Sequence, residues 1–228
     1  MKVRIRFSKT GALVYIGHLD VMRYFQKLFR RAQIPVAYSE GFSPHQILSF
    51  TPPLPLGMES FGEYADVELT EPVSTALAME RLAAQSVPEI KIMSFKELYD
   101  GCEKAMAAVK AAKYSAGFGE DVNMSDLKNV IDELMARDEI TVVKKTKKNV
   151  SSINLRPLIH DLTVSGNELN MTVSSGSIDN IKPEIVLGAV NDISPGMIDA
   201  RDITLRRIDQ YTYTDRYISL DMIGADIQ

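Results

Sequence analysis

Residues 1–33, MKVRIRFSKTGALVYIGHLDVMRYFQKLFRRAQ, carry two hydrophobic periods in succession. Val3, Ile5 and Phe7 alternate with Lys2, Arg4 and Arg6, the period of two that marks a strand with one buried face. From His18 to Gln33 the spacing changes. Leu19, Met22, Phe25, Phe29 and Ala32 recur three and four residues apart, which predicts a helix. Asp20 lies in its first turn and Arg30 and Arg31 in its last, where the helix dipole favours each sign, and Pro35 ends it. The chain therefore opens strand, then helix.

The same reading extends outward. Short strands are expected at 36–38 and 46–51 around the turn-forming loop Ser39-Glu40-Gly41-Phe42-Ser43-Pro44-His45. A strand follows at 63–69, a helix at 74–85 with Ser74 as its cap, and a strand at 89–95. Strand, helix, strand, strand, helix, strand is the order of the ferredoxin-like fold. The second half repeats it: a strand at 109–118, a helix at 125–137, a strand at 140–145, a hairpin across 153–174, a helix at 183–192 and a strand at 202–209. The expectation is an α+β protein, a tandem pair of ferredoxin-like units in which each antiparallel sheet is covered by two helices. Domain boundaries fall at 1–98 and 108–228, the second unit holding an extra hairpin, and the tail beyond Asp209 is expected to fray.

Composition sets outer limits. The chain has 228 residues, 45% hydrophobic and 25% charged, the make-up of a globular protein with a packed core. No apolar run is long enough to span a bilayer, so no membrane partner is expected and the location is expected to be cytoplasmic. Cys102 is the single cysteine, which rules out an intrachain disulfide and, by itself, a zinc or iron–sulfur site. Metal ligands and cofactors are expected to be none. Phosphate-loop, dinucleotide, nucleophile-elbow, zinc-protease and kinase motifs are missing, which favours binding over catalysis.

Charge is unevenly placed. The first 35 residues hold eight Lys and Arg against Asp20 alone, a balance of +7 in a chain of net charge −4, so the remainder carries −11. A basic end on an acidic body suggests a surface for a polyanion. Arg23, Lys27 and Arg30 stand at i, i+4 and i+7, sharing one helix face that Arg31 widens, and such a stripe can neutralise successive phosphates. Solvation of an outer helix face is the plainer use of the same pattern. Tyr15 and Phe42, in neighbouring loops, could stack on bases or dock a partner. His18, Asp20, Glu40 and His45 are read as loop-ordering residues, although His18 or His45 could also serve as a general base in RNA cleavage. Lys144, Lys145, Lys147 and Lys148 form a secondary basic tip, and His160 reads as a strand-end residue.

The segments Ile16-Gly17-His18-Leu19-Asp20, Arg30-Arg31-Ala32, Tyr38-Ser39-Glu40-Gly41-Phe42-Ser43-Pro44-His45 and Pro53-Leu54-Pro55-Leu56-Gly57 resemble a bacterial family of uncharacterised function. This is the radical-SAM-linked protein family, also called the radical SAM-associated domain. Asn154-Leu155-Arg156-Pro157 and Asn180-Ile181-Lys182-Pro183-Glu184 are similar to its second half. Members of that family occur as separate chains or fused behind a cobalamin-binding radical SAM enzyme. The chain resembles the stand-alone form, since it lacks the CxxxCxxC triad that holds the cluster. The resemblance implies an accessory role. The expected function is a non-catalytic RNA-binding or substrate-presenting protein acting with a radical SAM modifying enzyme in trans, the RNA being tRNA or rRNA. A metal-independent ribonuclease of the paired ferredoxin-like type and a protein-only interaction scaffold are the alternatives.

Overall fold

The computed structural model describes residues 1–145, 150–199 and 201–228 of a mixed α+β chain with two compact units. Unit 1 comprises Met1–Val109 together with Asp209–Gln228, and unit 2 comprises Lys110–Ile208.

In unit 1, strand β1 (Lys2–Lys9) buries Val3, Ile5 and Phe7 beneath helix α1 (His18–Arg31). The helix turns Val21, Phe25, Leu28 and Phe29 inward, a stripe set by its three-and-four spacing. It stops two residues earlier than its periodicity suggests because Gln33 adopts φ +52°, a left-handed conformation that ends the helix ahead of Pro35. Of the two short strands expected next, the first is reduced to isolated bridges, Val36 to Leu69 and Tyr38 to Gln46, and the second to β2 (Leu48–Phe50). Strand β3 (Glu59–Glu68), helix α2 (Thr75–Gln85) and strand β4 (Ile92–Glu97) complete the order. The Ser74 hydroxyl accepts from the Leu77 amide at the start of α2. The strands run antiparallel as β4-β1-β3-β2, with Lys2 opposite Glu68, Arg4 opposite Asp66 and Leu48 opposite Val67. Phe7, Phe25 and Phe50 interlock below the helices, with Phe7 and Phe25 ring centroids 4.5 Å apart. Aromatic burial of this kind dominates core energetics.

The other face of this sheet is also covered. Tyr64 packs with Ala108, Val109 and Leu220, contributed by the short helix α3 (Ala105–Ala108) and by the C-terminal segment. That segment was expected to fray within the second domain. Instead it belongs to unit 1 and is pinned there: Glu97 and Ala225 exchange backbone hydrogen bonds of 2.8 and 3.0 Å, and Ile227 bonds back to the Thr75 hydroxyl at 2.9 Å. Its polar sequence hides the order because its partners are polar too.

Unit 2 runs β5 (Ala111–Gly117), α4 (Met124–Ala136), β6 (Thr141–Lys145), β7 (Val150–Asn154), β8 (Ile159–Ser165), β9 (Glu168–Ser174) and α5 (Pro183–Ile193), then the first residues of β10 (Thr204–Tyr213). Its sheet order is β10-β5-β9-β8. The Asn123 side chain caps α4, accepting from the Ser125 and Asp126 amides. The hairpin expected across 153–174 is divided: β8 and β9 form it about Gly166, whereas β7 pairs with β6 in a separate two-stranded ribbon. Leu127, Ile131 and Leu134 of α4 and Val186 and Val190 of α5 are buried, as are Leu169, Met171 and Val173 of β9. No helix among the described residues is long and apolar enough to cross a membrane.

Candidate functional site

The cations of the amino-terminal segment divide by sheet face. Strand alternation sends Arg4 and Arg6 away from α1, and both are used internally. Arg4, only 3% exposed, clamps Asp66 with Nε to Oδ1 at 2.8 Å and Nη2 to Oδ2 at 3.0 Å, and Nη2 also donates to the Glu103 carbonyl. Asp66 further accepts from the Ala105 amide at 2.7 Å. Arg6 donates to Asp221 at 3.5 Å and stands 3.9 Å from Asp209, two carboxylates from the far end of the chain. Lys9 lies in phase with Phe7 on the core side, where Nζ donates to the carbonyls of Ile16 at 3.0 Å and Val14 at 3.4 Å. Arg4 and Lys9 are buried and Arg6, 19% exposed, is offset by two carboxylates, so the +7 balance overstates the basic field.

The cations of α1 are outside. Arg23 is 68% exposed, with an exposed partner in Asp20 at 3.2 Å. Lys27, Arg30 and Arg31 are exposed and, among the described residues, have no carboxylate within ion-pair reach. Their heads do not all point one way. Arg30 Nε donates to the Gln26 carbonyl at 3.3 Å, while Arg31 Nη2 reaches Gln85 at the end of α2. Arg23, Lys27 and Arg30 form a row along the helix, with Arg31 on its α2 flank.

The loop after Tyr38 is fixed beside this row. Gln46 Nε2 donates to the same Gln26 carbonyl at 3.4 Å and lies 3.5 Å from the Tyr38 hydroxyl, so the loop is attached to α1 one turn before Arg30. Within the loop, His45 Nδ1 lies 2.9 Å from Ser39 Oγ, and the Ser39 amide donates to the His45 carbonyl at 2.8 Å. This closure leaves Phe42 fully exposed at the tip, with Glu40 exposed beside it. Tyr15, 75% exposed, ends the short 3-10 turn Gly11–Tyr15 that precedes α1.

His18 and His45 line different cavities. His18 stands edge-on to Phe50 and lines a pit of about 20 Å³ with Lys9, Thr51 and Glu63. That volume suits a single water. Burial lowers the His18 pKa, with the Glu63 charge opposing it, and lowers that of Lys9 for the same reasons. Sequence reasoning missed Lys9 and Glu63. The signal for Lys9 was present, since it continues the inward phase of Val3, Ile5 and Phe7. His45 instead lines a cavity of about 420 Å³ with Lys2 and Lys104. Glu40 lines neither.

In unit 2, His160 Nε2 lies 2.9 Å from Ser174 Oγ, and burial lowers its pKa. Of the basic tip, Lys147 and Lys148 lie outside the described residues, and Lys144 and Lys145 end β6. Among the described residues no cluster of three His, Cys, Asp or Glu side chains could hold a metal ion.

Comparison with curated proteins finds no match. Among solved structures, a chain of the "Crystal Structure of a Cbf5-Nop10-Gar1 Complex" is similar over 96% of this chain, with 11% sequence identity and a TM-score of 0.47. The present chain spans about half of that one, 52% of its length. Residues 2–183 match the model of a bacterial family, and the chain accordingly belongs to the family described as "Uncharacterized protein conserved in bacteria (DUF2344)".

Proposed function

We propose that this chain is a non-catalytic RNA-binding or substrate-presenting accessory protein that works with a radical SAM modifying enzyme in trans. The observation that carries the RNA part is the row of Arg23, Lys27 and Arg30 along the outer face of α1, with Phe42 exposed on the loop attached beside it. Exposed cations at helical spacing suit a phosphate backbone, and an exposed aromatic suits an unstacked base. The partner enzyme follows from the motif resemblance, and tRNA or rRNA is the substrate class it implies. The finer fold reading belongs to the same proposal. Each unit is a ferredoxin-like variant, supported by the orders β4-β1-β3-β2 and β10-β5-β9-β8, with β6–β7 as the insertion in the second.

Filter binding of structured RNA at low salt tests the proposal. Binding that is lost in Arg23→Glu plus Lys27→Glu supports it; no binding, or binding indifferent to both changes, discards it. A ribonuclease reading retains one specific observation. The His45 ring, its Nδ1 2.9 Å from Ser39 Oγ, lines a cavity with two lysines. It requires RNA cleavage in the presence of chelator that disappears in His45→Ala.

A further inference from the structure

The second face of the unit 1 sheet is covered over Arg4 and opens next to Lys2. A cavity of about 420 Å³ lies there between the edge at β2, the loop residues Ser39 and His45, and the connector that carries Leu98 and Lys104. Its size falls within the range of small-molecule sites.

The wall has three kinds of chemistry. Lys2 and Lys104 are exposed cations, and among the described residues neither has a carboxylate within ion-pair reach. Of the two carboxylates in the wall, Asp66 is neutralised by the Arg4 clamp and the Ala105 amide, which leaves Glu68 against both lysines. The balance favours an anion. The Ser39 and Ser49 hydroxyls and the half-exposed Ile47 side chain supply polar and apolar wall, so a bare inorganic ion would leave most of the volume unused.

We propose that this cavity binds a nucleoside monophosphate. The phosphate lies between Lys2 and Lys104, the sugar lies near the serine hydroxyls, and the base lies against Ile47. The site does not rest on the RNA reading, because the basic row of α1 is not part of its wall. A free nucleotide and an extruded residue of a strand share this chemistry.

Calorimetric titration with adenosine 5′-monophosphate decides it, with adenosine and inorganic phosphate as comparisons. Saturable binding is expected to weaken at least about tenfold in Lys2→Met plus Lys104→Met, because two charge-assisted contacts are lost, and to survive in Arg23→Glu plus Lys27→Glu. Adenosine or phosphate alone should bind at least about tenfold more weakly than the whole nucleotide. Competition by a short single-stranded oligoribonucleotide assigns the site to a strand residue, and its failure assigns the site to the free nucleotide. Absence of saturable nucleotide binding, equal affinity for phosphate alone, or an unaltered affinity in the lysine double variant overturns the proposal.

Discussion

Replacing Arg4 by Met separates the cations that build the fold from those left for a ligand. The guanidinium makes two bonds to Asp66 and one to the Glu103 carbonyl, within a pair whose side chains are 3% and 11% exposed. Breaking a buried pair by removing one partner costs about 3–5 kcal/mol, mainly through the charge left behind. Asp66 keeps the Ala105 amide, so the lower end, about 3 kcal/mol, is expected. Asp66→Ala should cost a similar amount. The double variant should cost less than the sum by about 2 kcal/mol, because neither charge is then stranded. The exposed pair Arg23–Asp20 is the control, and Arg23→Met should change stability by less than about 0.5 kcal/mol. Urea unfolding monitored by circular dichroism reads all four variants as shifts of the midpoint. A loss below about 1 kcal/mol for Arg4→Met, or simple additivity with Asp66→Ala, would refute the argument.

Three further outcomes follow from individual residues. Gly224 has φ +98°, and an added Cβ would meet the Glu97 carbonyl oxygen, so Gly224→Ala should detach the C-terminal segment and cost at least about 2 kcal/mol, with faster hydrogen exchange at the Glu97 and Ala225 amides. Gln33 holds φ +52°, and Gln33→Gly should raise stability by about 0.5–1 kcal/mol, measured by thermal melting. Burial depresses the His18 pKa in the folded state below its unfolded value of about 6.5, so the unfolded chain binds the proton first; stability should fall as pH drops below about 6.5, and His18→Gln should flatten that part of the profile.

Local periodicity carries the helical half of this fold and little of what closes it. β1 and α1 are visible in residues 1–33 because a strand repeats every two residues and a helix every 3.6, and Pro35 marks the stop. The layer over the other sheet face has no such pattern. Asp209, Gln210 and Asp221 look like a solvated tail, yet Asp209 accepts from the Tyr64 hydroxyl, Gln210 donates to Thr51 and Gly62, and Asp221 accepts from Ser94 and Arg6. Their partners lie more than 120 residues away, beyond any window of periodicity. The β9 run ELNMTVS alternates, whereas β6 (TVVKK) and β7 (VSSIN) do not, and which runs pair is settled by tertiary packing that local pattern does not encode.

The site is legible to the same degree. The outward placement of Arg23, Lys27 and Arg30 follows from helix geometry, and exposure of Phe42 follows from a loop of turn formers. That Arg4 and Arg6 are neutralised does not follow from the amino-terminal segment alone, because the carboxylates concerned, Asp66, Asp209 and Asp221, come from β3 and from the end of the chain. Charge counted along a segment exceeds charge shown to solvent whenever a strand has both faces covered.

The dependence of RNA affinity on salt examines the α1 proposal most directly. Neutral replacement of Arg23, Lys27 or Arg30 should each reduce the slope of log affinity against log salt by about 1. A slope that ignores the three helix positions, or RNA that does not bind at low salt, would contradict the assignment of this face to a phosphate backbone.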